Sequence, residues 1–499
     1  MKDNMKKILY MVLTLLTSHI GLNAQNASDY RESRYETVAW NALNNLNYFN
    51  FMYVEDFPNT MYAPTDGSML QFVDPLSYGM EQPQIWEVKR DETQRLSRQL
   101  YAEVFNAVVN DDGTIVKASE QPIGTITGGT DNSIIKNRLD YLFKNSLVFG
   151  KYDADKKYYK TNGNNFVRLD NGGAEVSGPW QMQFGKPAEV EATLSTNGGE
   201  VDEVNQPLMP AFKNVAATLA EHAEFSEFLS ILKACAMSIN NTKDGWQAVD
   251  QKNGNLFNLK TKGAVGAEDV VSNSGKATYL LDDYHYTLYV PTNEAMQKAY
   301  ALGLPKVSQL EQAEIEDDEN DIWYDNPDSK AARIKEVMLN FVKYHIQDDA
   351  VFVDNGFKSG YYDSGKLSVI KAVVQNEDTG EYEWNGKYMP GRPYTLNVNV
   401  SSSAMTVTDC RNGYDDYGTY LGGVTANVVT KPGLYNLVAN EIWVESKNIV
   451  TQPYTCTIAS SSFVVIHAVD SPLIYSNGQH GNPSQFEYQY YPESKNNLF

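Results

Sequence analysis

The sequence predicts an α+β fold built from two tandem copies of one module. Two observations carry this prediction. The segment at 60–69 (TMYAPTDGSM) aligns without a gap with the segment at 287–296 (TLYVPTNEAM), and the segment at 201–209 aligns with the segment at 466–474. Segments that recur in the same order at long separation indicate an internal duplication. A chain of 499 residues with 42% hydrophobic composition is long enough for two such domains.

The first pair of segments is typical of a short strand followed by a helix. Pro64 and Pro291 would each end the strand, because proline has no N–H to donate to a neighbouring strand. Thr65 and Thr292 follow, and a threonine hydroxyl can cap the first turn of a helix. Each copy is therefore expected to lead from a strand into a helix at this point.

A middle pair and the closing pair complete each copy. Residues 139–142 (LDYL) align with residues 339–342 (LNFV), and both are typical of a helix end that enters a strand. In the closing segments, the apolar positions of 201–204 (VDEV) match those of 466–469 (IHAV). Such matched apolar positions are expected of strands that pack on a core.

Three stretches of the second copy resemble, in order, the signature stretches of the fasciclin domain: 286–296 (YTLYVPTNEAM), 339–345 (LNFVKYH) and 465–473 (VIHAVDSPL). The resemblance covers most of the second copy, residues 211–475. It implies for each copy a small wedge-shaped β-sandwich or barrel flanked by helices. The first copy, residues 28–210, is recognised mainly through its likeness to the second.

The resemblance also implies a candidate binding pair, Tyr344 and His345. In some animal members of the fasciclin family this motif has been linked to receptor contact. The alternative is that both side chains pack or hydrogen-bond inside the domain. In the first copy, Lys144 and Asn145 stand at the matching positions. We expect no catalytic residue, no metal site and no cofactor.

Each copy carries an insertion, and a tail follows the second. The first insertion, about 74–131, is predicted to be helical, because its apolar residues recur every four positions at Leu96, Leu100, Val104 and Val108. The second, about 238–283, is rich in Gly, Asn and Lys. Long insertions often carry function. The tail, 476–499, is rich in aromatic residues that could stack on sugars, anchor an interface or pack as an edge strand.

The first 25 residues are predicted to be a signal peptide. Lys2, Lys6 and Lys7 precede an apolar run at 8–16, and Ala24 closes the segment. The apolar run is shorter than the roughly 20 residues that span a bilayer, and no later stretch is apolar for long enough. The protein is therefore expected to be exported to the periplasm, the cell surface or the extracellular space, without a transmembrane anchor.

Charge and cysteine content exclude several classes of protein. The formal net charge is −22, which would repel nucleic acid. The three cysteines make no zinc pattern. Cys410 and Cys456 could pair in an oxidising compartment, and Cys235 is expected to be a small buried residue.

Acidic and histidine residues offer two further candidate sites. His467 and Asp470 are three positions apart in an apparent strand, so they would point to opposite faces, and we expect structural roles. The acidic run at 311–321 lacks the glycine that lets a calcium-binding loop turn, and we expect a solvated loop.

Together these features predict an exported, non-catalytic adhesion or binding module of the bacterial envelope, whose partner is a surface protein or a polysaccharide. The inserted loops and the junction near Pro210 are the expected places of binding. Two alternatives remain. One is an enzyme that acts on polysaccharides through paired carboxylates, and the other is a purely structural spacer.

Overall fold

The structure is a computed structural model that describes residues 38–46, 48, 58–65, 69–78, 80, 82–91, 99–127, 133–150, 152–196, 199–239, 284–320, 322, 329–376, 379–413, 419–443, 453–458, 460–475, 478–479 and 482–483. The predicted signal peptide, nearly all of the second insertion and most of the tail lie outside the described residues. Within these ranges, each helix is too short or too polar to cross a bilayer.

The chain divides into two compact units. Unit 1 comprises Met1–Phe212 together with Val444–Ala459, and unit 2 comprises Lys213–Trp443 and Ser460–Phe499. The sequence assigned all of 211–475 to the second copy, so the placement of Val444–Ala459 is a correction. The side-chain amide of Asn137 explains it, since that amide donates to and accepts from the backbone of Ile458 at 2.9 and 2.8 Å.

Unit 1 is an α+β unit with two sheets. Its helices are α1 (Val38–Asn45), α2 (Ser133–Lys144) and α3 (Pro179–Phe184). Its strands are β1 (Asn59–Pro64), β2 (Met69–Val73), β3 (Gln84–Arg90), β4 (Leu100–Val109), β5 (Ile115–Lys117), β6 (Gly124–Ile126), β7 (Leu147–Phe149), β8 (Tyr158–Lys160), β9 (Phe166–Asp170), β10 (Glu175–Ser177), β11 (Ala188–Thr196) and β12 (Gly199–Val204). One sheet has the order β7-β1-β12-β11-β10-β9-β8, and the other has the order β2-β3-β4-β5 with β6 paired to β4.

Unit 2 is also α+β and is built on one large sheet. Its helices are α4 (Val215–Ala220), α5 (Ser226–Ile239), α6 (Asn293–Ala301), α7 (Val307–Glu319) and α8 (Lys330–Tyr344). Its strands are β13 (Tyr284–Pro291), β14 (Ile346–Asp348), β15 (Gly360–Gln375), β16 (Tyr382–Val400), β17 (Met405–Thr408), β18 (Thr425–Asn427), β19 (Leu437–Trp443) and β20 (Ser460–Val469), and the tail adds the paired strands β21 (Gly478–Gln479) and β22 (Asn482–Pro483). The large sheet has the order β18-β17-β16-β15-β14-β13-β20-β19.

The two units share one strand arrangement at their centres. In unit 1, β1 runs parallel to β12 and antiparallel to β7, and in unit 2, β13 runs parallel to β20 and antiparallel to β14. The residue registers also agree. Tyr62 lies opposite Asp202 as Tyr289 lies opposite His467, and these are the residues that the sequence alignment matched.

Equivalent residues of the central strands also face equivalent cores. Met61 joins the helix-side core of unit 1 and Leu288 joins that of unit 2, where α2 and α8 respectively pack. The next residue along each strand, Tyr62 or Tyr289, belongs to a separate apolar cluster. This alternation is the geometry of a strand buried on both faces.

The strand contacts correct the predicted alignment of the middle segments by one residue. The Tyr62 N–H donates to the Ser146 carbonyl, and the Tyr289 N–H donates to the His345 carbonyl, both at 2.9 Å. Ser146, rather than Asn145, is therefore the counterpart of His345. The sequence could not decide this register, because apolar residues match at either offset and only the strand pairing distinguishes them.

The first insertion is a β-sheet, so the predicted helix is wrong. In β4, Leu100, Ala102 and Val104 are buried at every second position, while Val108 is 51% exposed. Apolar residues at 100, 104 and 108 fit a period of two as well as a period of four. The small apolar Ala102 between them was the sign of a strand.

The segment after β1 differs between the units. In unit 2, the Thr292 hydroxyl accepts from the Ala295 N–H and begins α6, as predicted. In unit 1, Thr65 instead donates to Glu191, and the chain continues into β2, so the helix predicted there is wrong.

The acidic run at 311–321 also differs from its prediction, because most of it lies in α7 rather than in a loop. Asp317 is buried, and its carboxylate accepts from the backbone N–H groups of Lys330 and Ala331 at 3.3 and 2.8 Å. Negative charge is favourable at the first turn of a helix. Asp317 therefore helps to begin α8.

Candidate functional site

Tyr344 and His345 are both fully buried in unit 2. The Tyr344 hydroxyl accepts from the Cys410 N–H at 2.8 Å and lies 3.2 Å from the Thr395 carbonyl oxygen, to which it donates. His345 Nδ1 donates to the Phe341 carbonyl at 2.8 Å, and Nε2 accepts from the Leu473 N–H at 3.0 Å. Every polar atom of this histidine is used inside the unit, and burial lowers its pKa to about 3.

His467 is a second buried, neutral histidine. Its Nε2 donates to the Val351 carbonyl at 2.8 Å, and its Nδ1 accepts from the Asn436 N–H at 3.3 Å. Burial lowers its pKa to about 4. Asp470 accepts from the backbone and side chain of Asn427, both at 2.8 Å. His467 and Asp470 thus bond to different groups, and their contacts give no sign of a catalytic pair.

Cys410 and Cys456 are buried, and neither forms a disulfide bond. Cys410 lies in unit 2, whereas Cys456 lies in the segment that belongs to unit 1. The pairing that the sequence left open is not formed in the structure.

Unit 1 contains a cleft of about 500 Å³. Strands β1, β12 and β11 supply one part of its wall, and the segments around β7, β8 and β9 supply the rest. Its lining combines three tyrosines, two carboxylates and small or hydroxyl residues: Pro58, Asn59, Thr60, Tyr62, Val148, Gly150, Tyr152, Tyr159, Leu169, Gly172, Gly173, Thr193, Gly199, Glu200 and Asp202.

Tyr62 is the central polar group of this cleft. The residue is only 3% exposed, it lines the cleft, and its hydroxyl makes no hydrogen bond with any residue that the structure describes. Its counterpart Tyr289 differs, because its hydroxyl donates to Gln347 Oε1 at 2.5 Å.

The difference follows from one substitution between the copies. Gln347 pairs with Thr287 across β13 and β14, and Val148 holds the same place opposite Thr60 in unit 1. A valine has no oxygen to accept from the Tyr62 hydroxyl. The hydroxyl is thus left for a ligand or water in the cleft.

Asp202 lies beside Tyr62 and carries an altered acidity. The Thr193 hydroxyl donates to its carboxylate at 2.6 Å. Burial, assisted by the nearby charge of Glu200, nevertheless raises the pKa of Asp202 to about 6. Burial raises the pKa of Tyr62 well above its usual value, and the neighbouring Asp202, Tyr159 and Glu200 raise it further.

The loops that follow β14 and β7 differ between the units. In unit 2 the loop after β14 covers His467, with Val351 only 1% exposed. In unit 1 the loop after β7 leaves Tyr152 49% exposed at the cleft. Gly172 and Gly173, with φ of 71° and 91°, form a turn beside the Tyr152 ring that a residue with a Cβ would adopt only with strain.

The sequence predicted binding in the insertions, at the domain junction or at Tyr344 and His345, and it did not predict this cleft. Two differences between the aligned copies mark it. Asp202 stands where the second copy has His467, and Val148 stands where it has Gln347. The described residues hold no group of three or more metal-ligating side chains.

Comparison with known proteins gives little. No protein-family model and no curated protein matches the chain. One solved structure that is similar is the FAS1 domain pair of the insect cell adhesion molecule Fasciclin I, with 11% identity and a TM-score of 0.20, over 87% of this chain and 92% of that chain. A TM-score of that size does not establish a common fold, and the fasciclin resemblance stays a prediction.

The buried histidines predict a pH dependence of stability. Since the pKa of folded His467 lies near 4, below its unfolded value, its contribution is complete above about pH 6.5 and is lost as the pH falls towards 4. His467→Gln should remove up to about 1.4 kcal/mol per pH unit from the slope of unfolding free energy in this range. Urea denaturation of both proteins at several pH values measures the slopes. Equal slopes would contradict a neutral, buried His467.

Asp202 predicts a pH dependence of stability that has the opposite sign to that of His467. Its folded pKa is raised, so its contribution is present below about pH 4 and is lost as the pH rises through about 6. Without ligand, Asp202→Asn should therefore raise the free energy of unfolding at pH 7 by about 1–3 kcal/mol. Glu319→Gln, on the exposed surface of α7, removes the same charge and should change it by less than about 0.5 kcal/mol. A lower free energy of unfolding in Asp202→Asn would contradict the raised pKa, because it would show that the folded protein stabilises the carboxylate.

Proposed function

We propose that this chain is a non-catalytic binding module that captures a polysaccharide in the cleft of unit 1. One observation carries the proposal: Tyr62 lines a cleft and its hydroxyl has no described hydrogen-bond partner, whereas the hydroxyl of its counterpart Tyr289 donates to Gln347. Binding sites are often concave, mostly pre-formed and lined by aromatic groups with a few polar atoms, and the volume of about 500 Å³ is in their usual range.

We infer that the two units are fasciclin-like copies that have diverged in use. The shared register of β1, β12 and β7 with β13, β20 and β14 supports a common origin. In unit 2, Gln347 accepts from the Tyr289 hydroxyl and His467 lies opposite Tyr289, which favours a stabilising role for this position. In unit 1 the equivalent Tyr62 lines an open cleft, which favours ligand binding.

The lining of the cleft favours a saccharide over a protein partner. Tyr152 is half exposed at the mouth, and Tyr62 and Tyr159 lie deeper. Tyrosine rings offer apolar faces together with a hydroxyl, which suits a sugar ring that has both apolar and polar edges. In line with the predicted signal peptide, we propose that the module acts outside the inner membrane of a bacterium, on an envelope or extracellular polysaccharide.

A second candidate function rests on the two carboxylates. Glu200 and Asp202 are two positions apart on β12, so they face the same side with Cα atoms about 7 Å apart, and both line the cleft. Glycosidases use two carboxyl groups about 5–10 Å apart. A pKa near 6 would suit Asp202 to act as a general acid. Release of reducing ends that Asp202→Asn abolishes would establish the enzyme and overturn the binding module.

Binding can be tested with the purified chain on a glycan array. Tyr152→Ala should weaken retention of the bound glycan by about tenfold, because it removes an aromatic face at the mouth of the cleft. Tyr361→Ala is the matched control, since Tyr361 is a 65% exposed tyrosine of unit 2. Equal losses in both variants, or no retention of any glycan by the unmodified chain, would contradict the proposal.

A further inference from the structure

We propose that the cleft of unit 1 selects saccharides that carry a free, protonated amine, with the ammonium group held between Tyr62 and the carboxylates of Asp202 and Glu200. The inference rests on the proposed polysaccharide binding and names the chemical class of the ligand. Its first support is charge. The described residues that line the cleft include two carboxylates and no lysine, arginine or histidine.

The carboxylate of Asp202 lies inside the cleft without a described cation to offset it. Asp202 is 7% exposed, and the Thr193 hydroxyl is the neighbour that donates to it. A buried carboxylate is costly unless an opposite charge or several hydrogen bonds compensate it. An ammonium group would supply both, since it carries one positive charge and three donors.

The groups that face Asp202 make the site suitable for a cation. Glu200 adds a second negative charge from β12, and Tyr62 on β1 and Tyr159 on β8 bring aromatic rings to the same space. Aromatic faces attract cations that lie within about 6 Å of the ring centre. Thr193 on β11 completes the surroundings with a neutral hydroxyl.

The Tyr62 hydroxyl can both accept and donate a hydrogen bond. An ammonium group can only donate, so it uses the oxygen of the hydroxyl as an acceptor. The hydroxyl proton is then available to a hydroxyl group of the same ligand. An amino sugar carries both groups on adjacent carbons. The volume of about 500 Å³ is also larger than a single lysine side chain needs. For these reasons we favour an amino sugar over the lysine of a protein.

The equivalent position of unit 2 lacks the groups that would hold an amine. His467 replaces Asp202, Gln347 replaces Val148, and Tyr289 is satisfied internally. The inference thus makes Val148 a specificity-determining residue, because its apolar side chain is what leaves the Tyr62 hydroxyl unoccupied.

The test compares oligomers of glucosamine with oligomers of N-acetylglucosamine of equal length, using titration calorimetry on the full chain. These ligands differ in whether the nitrogen is charged. We expect the glucosamine oligomer to bind at least about tenfold more tightly at pH 7. Equal affinity would overturn the amine proposal while leaving saccharide binding intact. Binding of neither oligomer would overturn the amine proposal as well, and a glycan array that still retains another sugar would keep the proposed function.

Variants assign the effect to the cleft. Tyr62→Phe removes only the hydroxyl, and Asp202→Asn removes only the charge, so each should weaken glucosamine binding by about tenfold without lowering the melting temperature. Val148→Gln should weaken it similarly by occupying the Tyr62 hydroxyl. Glu319→Gln is the charge-matched control and should bind normally. Unchanged binding in both the Tyr62 and Asp202 variants would overturn the site.

Two further measurements complete the test: the pH dependence of the affinity, and the binding of a lysine ligand. Between about pH 7 and about pH 5 the ligand amine titrates identically for both proteins, so the ratio of the affinity of the unmodified chain to that of Asp202→Asn isolates Asp202. This ratio should fall by about tenfold as Asp202 gains a proton, and an unchanged ratio would overturn the role of its charge. A lysine amide that is acetylated on its α-nitrogen and keeps its side-chain ammonium should bind more weakly than the sugar. Tighter binding of the lysine amide would overturn the saccharide as the source of the amine.

Discussion

Each unit depends on the parallel pairing of its opening and closing central strands. The pairs β1–β12 and β13–β20 join residues that are far apart in sequence, and each places one row of side chains under the helices and the other row in a second cluster. A slip of one residue would exchange the two rows, so the register is strongly specified. Once it is set, the opposing pairs Tyr62–Asp202 and Tyr289–His467 must occupy the same place in their units.

That place is occupied differently in the two units. In unit 2 a neutral histidine fills it, with both ring nitrogens bonded to backbone groups of neighbouring loops. In unit 1 a carboxylate and a tyrosine hydroxyl without a described partner line an open cleft. A similar pairing of central strands therefore surrounds a filled position in unit 2 and an open one in unit 1.

Much of this architecture could be predicted from the sequence. The repeat at 60–69 and 287–296 and the closing segments gave the correct strand residues, because their apolar positions and prolines are local features. The register of the middle segments was wrong by one residue, since only pairing with β1 and β13 fixes it. The β-sheet at 84–126 was mistaken for a helix, because residues 100, 104 and 108 suit both periods. The cleft was missed altogether, because it depends on what Val148 and Asp202 lack relative to their counterparts.

A crystal structure of the chain grown with a glucosamine oligomer would test the proposed site directly. We expect a sugar in unit 1, with its nitrogen within hydrogen-bonding distance of Asp202 and Tyr62 Oη, while Tyr289 keeps its bond to Gln347. A sugar bound in unit 2, or a closed unit 1 in which Tyr62 donates to another protein group, would contradict the proposal.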